Sequence, residues 1–347
     1  MLRSKFIKIL GVIAGVLAVS ALAQAGVIDP HSLAFVGLGG VLSNSGARVI
    51  DPILTTVVQG YKNADLVGHN LFPAVPVQVS GGQVLEFGRE SFRLYNSKRA
   101  PGGATKRLQF GYLGKPYALL QDSLEAVVPR EQMRDASRVP GIDLGSRAVN
   151  LTMKAMQLAL ENDQAALAIN AANYDASHKV TLAGVTKWSA ATGDPHADVD
   201  TGREAIRAST GVYPNVLMLS AVAFKACRNN PNVKANFQYT THESITEAML
   251  ANYFSVDKVV VGKAITFSDA DVAADVWGNN AILAYVPSSP SGMEEPSYGY
   301  TYTMEGNPAV EPAYYDNNSK SWIYGVNYER APVLSGITSG YLIINPN

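Results

Sequence analysis

Apolar and polar positions repeat along this chain with several different periods, and those periods predict most of its elements. Between Ile142 and Asn170, Val149, Met153, Met156, Leu160 and Leu167 recur every three or four residues, the spacing of one helix face. Arg147, Asn150, Lys154, Gln157, Glu161 and Gln164 recur at the same intervals and mark an opposite, polar face. At 1.5 Å per residue such a helix would be about 40 Å long, a spine rather than a local element. Other stretches have period two. Tyr298, Tyr300 and Tyr302 recur at every second position, as do Trp322, Tyr324, Val326 and Tyr328, and both read as strands. Val216 to Leu219 and Val259 to Val261 are unbroken apolar runs, the mark of buried strands, and Leu342 to Ile344 closes the chain as a last strand.

Helix signals fill the gaps between these strands. Thr201 with Glu204 and Ser244 with Glu247 have the spacing of capping boxes. Ala221 to Arg228 reads as a helix that stops before Asn230-Pro231, and Ile245 to Phe254 as another. Residues 200–268 therefore predict a compact α/β unit. Further forward, Asp51 to Gly60 reads as a short helix with Asp51 as cap and Pro52 at the first helical position. Pro73 and Pro76 make Asn70 to Val79 extended. Residues 26–50 are rich in Gly, Ser and small apolar groups and read as an arm. The start has Arg3, Lys5 and Lys8, then an uncharged apolar run from Ile9 to Ala23, then Ala23-Gln24-Ala25 before Gly26. By itself this segment fits a secretory signal peptide, and the run is short for a membrane span. The other reading is a retained apolar arm that packs on a neighbouring chain.

Composition narrows the function classes. Of 347 residues, 47% are apolar and only 16% charged, against about 25% charged in an ordinary soluble domain. That balance excludes a disordered chain and suggests that much of the surface meets something other than water. A net charge of −1 excludes a dedicated nucleic-acid binder. The single cysteine, Cys227, excludes an intramolecular disulfide framework and a cysteine-rich zinc site. The charge is unevenly placed, however. Residues 80–116 hold Arg89, Arg93, Lys98, Arg99, Lys106, Arg107 and Lys115 against Glu86 and Glu90, a net +5. Gly81-Gly82 opens this stretch and Gly102-Gly103 interrupts it, so it reads as a long, basic, two-stranded excursion. An isolated hairpin is marginal in water, so a long one must lie on something. Residues 264–319 contain no Lys or Arg and a net −8, from Asp269, Asp271, Asp275, Glu294, Glu295, Glu305, Glu311 and Asp316. Complementary blocks of this kind suit self-assembly. Phe92, Tyr95, Phe110 and Tyr112 would also serve a nucleic-acid arm, but the acidic block favours the structural reading.

Catalytic patterns are weak. The histidines are His31, His69, His178, His196 and His242, and no two have ligand spacing. His242-Glu243 begins like a helical zinc motif, but Thr246 stands where the second histidine belongs. Asp198/Asp200 and Asp269/Asp271 read as loop acids and helix caps, with a weak divalent-cation site as the sharper alternative. There is no Gly-x-Ser-x-Gly elbow, no Walker loop and no Gly-x-Gly-x-x-Gly. Cys227, beside Phe224 on a helix face, reads as a small buried hydrophobe. Asn317-Asn318-Ser319 matches a glycosylation acceptor at the level expected by chance.

The order of segments is arm, basic loop, long helix, α/β unit and β-rich close. It resembles the major capsid protein of tailed bacteriophages, and short pieces of sequence resemble it too. Asp51-Pro-Ile-Leu-Thr-Thr, Gly60-Tyr61-Lys62-Asn63-Ala64 and Leu71-Phe72-Pro73 look like the start of one capsid family. Phe87-Gly88-Arg89-Glu90-Ser91-Phe92 and Arg99-Ala100-Pro101-Gly102 look like its extended loop. Thr210-Gly211-Val212-Tyr213-Pro214-Asn215-Val216-Leu217 and Val259-Val260-Val261-Gly262-Lys263-Ala264 look like its axial domain. The resemblance covers about residues 50–347.

What the resemblance implies is an α+β capsid fold. Residues 1–50 would be an apolar N-terminal arm, with the signal-like start at 1–25. Residues 51–79 and 117–199 would form a peripheral domain with the spine helix, and 80–116 an extended loop lying over an adjacent subunit. Residues 200–310 would form an axial domain, and 311–347 would return to the peripheral domain. The protein would be structural, with no catalytic residue, metal or cofactor. It would assemble with itself into pentamers and hexamers of an icosahedral shell around double-stranded DNA. Portal, scaffolding and decoration proteins would be further partners, DNA would be held non-specifically, and the mature particle would contain no membrane. Assembly would take place in the host cytoplasm. The loop residues expected between subunits are Arg89, Arg93, Lys98, Arg99, Lys106 and Arg107. Their expected acidic partners are Glu294, Glu295, Glu305 and Glu311. Two other readings fit part of the sequence: an exported bacterial surface or hydrolytic protein with a cleaved leader, and the shell of a bacterial nanocompartment.

Overall fold

The computed structural model describes residues 66–86, 98, 113–136, 143–237, 245–268, 270–288 and 297–347. Chain contacts separate Met1–Val49 from Ile50–Asn347, and all the described residues belong to the second unit. The expected helix at Asp51 to Gly60, the N-terminal arm and most of the basic loop lie outside the described residues.

The strands, in chain order, are β1 (Ala74–Val77), β2 (Gly81–Glu86), β3 (Leu113–Ala118), β4 (Leu120–Pro129), β5 (Lys179–Thr181), β6 (Val216–Ser220), β7 (Lys258–Gly262), β8 (Ile265–Phe267), β9 (Ala273–Asp275), β10 (Asn280–Ala284), β11 (Gly299–Met304), β12 (Ala309–Val310), β13 (Tyr314–Asp316), β14 (Ser321–Leu334) and β15 (Gly340–Ile344). The helices are α1 (Arg130–Ala136), α2 (Leu144–Ala168), α3 (Pro195–Thr210), α4 (Ala221–Asn229), α5 (Pro231–Phe237) and α6 (Glu247–Tyr253). They build a six-stranded sheet around β14, a five-stranded sheet ordered β5-β15-β10-β6-β7, and the small ladders β2-β3 and β8-β9.

The spine is α2, 25 residues and roughly 37 Å at the helical rise. Asp143 caps it: one carboxylate oxygen accepts from the Gly145 amide at 3.0 Å and the other from Ser146 Oγ. The ring of Tyr324 covers Gly145 closely, so that a side chain there would push the ring back by a few tenths of an ångström. The first half of α2 packs Val149, Met153 and Met156 onto Val128, Tyr324, Val326 and Tyr328 of the six-stranded sheet. The second half packs Ala165 and Ala168 against Leu71, Phe72, Trp277 and the inner face of the five-stranded sheet. One helix therefore joins two cores.

That double duty corrects the reading of its polar face. Glu161 and Gln164 face inward, each only 2% exposed. A helix covered by different elements along its length buries different stripes, so a single polar face does not persist. Other boundaries also move. Helix α3 starts at Pro195 rather than Thr201, because Asp194 accepts from His196 N at 3.0 Å and Ala197 N at 3.3 Å, with proline at the first position. Gly211, at φ 75°, ends it. For α6 the cap is Thr246, not Ser244. Asp198 and Asp200 lie within α3 rather than in a loop.

The α/β expectation is met at β6, whose five residues are all buried. Leu217 and Leu219 face Val199, Ile206, Ala223 and Leu250, while Val216 and Met218 face the α2 side. A strand covered on both faces reads as an unbroken apolar run. The closing strand β15 lies between β5 and β10 in the five-stranded sheet, while β13 and β14 just before it lie in the six-stranded one. Strand β11 pairs with β14 and β1 in the six-stranded sheet. Leu342 and Ile343 are buried on opposite faces of their strand, which suits an interior position.

Candidate assembly surfaces

The base of the basic excursion is a regular antiparallel ladder, Gly81 opposite Ala118 through Glu86 opposite Leu113. Of its six named basic residues only Lys98 is among the described residues, and it is exposed. Arg89, Arg93, Arg99, Lys106 and Arg107 lie outside them, as do Glu294 and Glu295 of the acidic set. Glu305 sits just beyond β11, where its amide donates to Val77 O at 2.9 Å. Glu311 follows β12; its amide donates to Gly325 O and its carboxylate accepts from Asn327 Nδ2. The acidic block is divided: Asp271 and Asp275 belong to the β8-β9 hairpin, whereas Glu311 and Asp316 belong to the six-stranded sheet.

The sheet adds a carboxylate that sequence reading missed. Residues facing each other across an antiparallel pair share a face. Gly325 lies opposite Glu125 of β4, and a side chain at 325 would touch both Glu311 and Glu125. The two acids thus flank Gly325 on the face turned away from α2. Tyr314 donates from its hydroxyl to Glu125 Oε1 at 3.3 Å, and that contact raises the tyrosine's pKa beyond what desolvation does. Val127, Ile323 and Tyr314 form an apolar row beside this acidic one. The β8-β9 hairpin carries further exposed apolar groups, Ile265, Phe267 and Val272.

The interior of the junction is polar and hydrogen-bonded. Glu161 Oε1 accepts from Val67 N at 3.0 Å and from Trp277 Nε1 at 2.7 Å, and Oε2 accepts from Gly68 N at 2.7 Å. Burial raises the Glu161 pKa, and these three donors oppose the rise. Gln164 Nε2 donates to Thr301 Oγ1 at 2.9 Å, and that hydroxyl donates to Phe72 O at 3.2 Å. The Tyr174 and Tyr298 hydroxyls, both buried, meet at 2.5 Å. No periodicity rule marks such residues, because their donors lie about a hundred positions away.

The residues weighed for catalysis have structural partners. Cys227 is buried in the helical core and its thiol is pushed up to about 12, so almost no thiolate forms at neutral pH. His178 is buried between Ser177 Oγ at 3.1 Å and Ser209 Oγ at 3.0 Å. Asp198 accepts from Trp188 Nε1 at 2.8 Å, and Asp200 meets His196 Nδ1 and Arg203 Nη1, each at 3.1 Å. His242 and Asp269 lie outside the described residues. Among the described residues no group of three His, Cys, Asp or Glu is placed to hold a metal ion, and no helix is long and apolar enough to cross a membrane.

Three comparisons place this geometry among known proteins. Residues 172–294 match the family model described as phage major capsid protein E. The chain is 35% identical over 307 residues to the major capsid protein of Burkholderia phage BcepMu, covering 87% of this chain and 98% of that protein. Among solved structures, the crystal structure of a phage-related protein from Bordetella bronchiseptica RB50 is 50% identical, with a TM-score of 0.76 over 86% of this chain and 98% of that one. The capsid of cyanophage P-SCSP1u shares the fold at 10% identity, with a TM-score of 0.53 over 82% of this chain and 89% of that one.

Proposed function

The chain belongs to the phage major capsid proteins, and from that premise we propose that its copies close into an icosahedral shell of pentamers and hexamers around double-stranded DNA. The observation that carries this reading is the 35% identity to a capsid protein along 98% of that protein's length. The fold supports it. A single spine helix ties two cores together, and a regular ladder closes the base of the basic stretch between Glu86 and Leu113. In this reading the subunit has no catalytic task. Portal, scaffolding and decoration proteins meet it at the particle, DNA is held without sequence preference, and assembly takes place in the host cytoplasm.

The loop residues Arg89, Arg93, Lys98, Arg99, Lys106 and Arg107 would meet acids of a neighbouring copy, among them Glu294, Glu295, Glu305 and Glu311, joined by Glu125. Electrostatic contacts of this kind set register and exclude wrong partners more than they add raw affinity. Reversing Arg89, Arg93 and Arg99 to Glu is expected to abolish assembly while circular dichroism and melting of the subunit stay unchanged. Normal particles from that variant would remove the charged loop from the assembly mechanism. The shell itself is tested by negative-stain electron microscopy of the full-length protein expressed alone in the cytoplasm. Closed shells, or free pentamers and hexamers, are the expected result; a protein that stays a uniform monomer, alone and with a scaffolding protein supplied, would end the reading.

A further inference from the structure

We infer that Tyr117 is a positioning residue for assembly: its ring, stacked on Tyr302, fixes the angle at which the β2-β3 ladder leaves the six-stranded sheet of its own copy. The assembly role rests on the shell reading; the pivot itself does not.

Connectivity alone leaves the ladder free to swing. Among the described residues β2 and β3 pair only with each other. Two short connections join them to the six-stranded sheet: residues 78–80 between β1 and β2, and Leu119 alone between β3 and β4. The Leu119 amide donates to Ser80 O at 2.8 Å, so the two connections cross the boundary side by side and make a single line of bending. A two-stranded ladder is marginal by itself in water. Backbone pairing therefore leaves the angle open, and side-chain packing has to set it.

Tyr117 supplies that packing. Gly81, Gln83, Pro116 and Ala118 of the ladder are exposed, whereas Tyr117 joins Val75, Val77, Leu119 and Val333 against the buried Tyr300 and Tyr302. Its ring centre lies 4.5 Å from that of Tyr302, with the two planes 13° apart. Nearly parallel rings at this distance resist tilting, because a tilt opens a gap along one edge and loses dispersion contact there. The register makes room for the ring. Gly82 stands opposite Tyr117, and a Cβ at 82 would sit 2.8–3.0 Å from three atoms of it. A side chain there would push the ring off its seat. The seat itself is fixed, since Tyr302 lies in mid-sheet, opposite Val75 of β1 and Ala331 of β14.

Leverage turns a small loosening into a large error. Strand β3 runs six residues from the pivot, about 20 Å at the rise of a strand. At that radius about 10° of swing moves the far end by about 3.5 Å, the spacing of successive residues along a strand. Contacts between copies match far more closely than that, since a hydrogen bond tolerates only about 0.5 Å in length. A ladder without the stack would present its far end at many positions, few of which fit a neighbour. In this reading Tyr117 touches no other copy; it acts through the orientation of the ladder.

Spin labels on Glu86→Cys and Asn318→Cys, read by pulsed dipolar spectroscopy in the dissociated full-length subunit, measure the swing; Cys227 is buried and stays unlabelled. With Tyr117, and equally with Tyr117→Phe, one narrow distance is expected. Tyr117→Ala is expected at least to double its width while circular dichroism stays unchanged. Tyr117→Leu, which keeps apolar bulk without a flat ring, should broaden it as well, and is read in place of the alanine variant if that one unfolds. In unlabelled protein the yield of closed shells should fall tenfold or more with Tyr117→Ala and return with Tyr117→Phe. Distances as narrow in the folded alanine and leucine variants as in wild type overturn the pivot and leave the shell reading standing. Broad distances with a normal yield of uniform shells overturn the assembly role. Wild-type protein that forms no shell, alone or with a scaffolding protein, overturns the shell reading and that role with it, and leaves the pivot to the distance measurement.

Discussion

Glu161→Ala is expected to destabilise the subunit by about 3 kcal/mol. The substitution strands three buried donors, the amides of Val67 and Gly68 and the indole N–H of Trp277, at about 1 kcal/mol or more each. For a domain of this size that lowers the thermal midpoint by roughly 6 °C. Hydrogen exchange should localise the damage to residues 66–72, where the carboxylate holds the chain against α2. An unchanged melt would show that the donors find water instead. Glu161 also predicts a pH dependence. Its folded-state pKa is raised, chiefly by burial, above the value in the unfolded chain. The folded state therefore holds the proton more tightly. This contribution to stability is fully present below the unfolded pKa and is lost as pH rises through the folded one. Glu161→Gln should lose that part of the slope. A wild-type and a Gln protein whose stabilities run parallel across the acidic range would refute the assignment.

The second large effect belongs to Arg330. Its side chain is 2% exposed, donates to Met156 O at 2.7 Å, pairs with Asp122 at 2.9 Å and lies 4.8 Å over the Tyr328 ring. Arg330→Ala removes all three contacts and leaves a cavity between α2 and β14, a loss of about 3–5 kcal/mol. The pair is asymmetric. Asp122 is 45% exposed, so water replaces much of what Arg330 gives it. Asp163 also interacts with Arg330, so Asp122→Ala does not leave the guanidinium without a nearby carboxylate. That variant should cost about 1 kcal/mol. Urea denaturation of both variants measures the difference, and equal losses would overturn the asymmetry.

Both predictions concern residues whose role was hidden in the linear pattern. Glu161 and Gln164 repeat with Arg147, Asn150, Lys154 and Gln157, and by period alone they belong to a solvated face. They are buried because α2 is covered by the six-stranded sheet over its first half and by Trp277, Phe72 and the five-stranded sheet over its second. Glu125 attracted no notice in the sequence, since one glutamate in a mixed segment carries no signal. It becomes part of a surface only through the β4-β14 register, which sets it opposite Gly325 and next to Glu311. Strand β15 was legible as a strand from Leu342 to Ile344, but not its place between β5 and β10.

The sequence by itself determined many of the elements and their order. Period three to four specified the spine, period two the tyrosine strands, unbroken apolar runs the buried strands, and opposite charge the two blocks that a shell protein would bring together. Those signals are local, because helix and strand periods arise from backbone geometry over a few residues. The tertiary structure decided which strands share a sheet, which polar side chains are buried, and which carboxylates stand side by side. These depend on contacts between residues tens to hundreds of positions apart. Their free energy comes from pairing and burial that no short window of sequence contains.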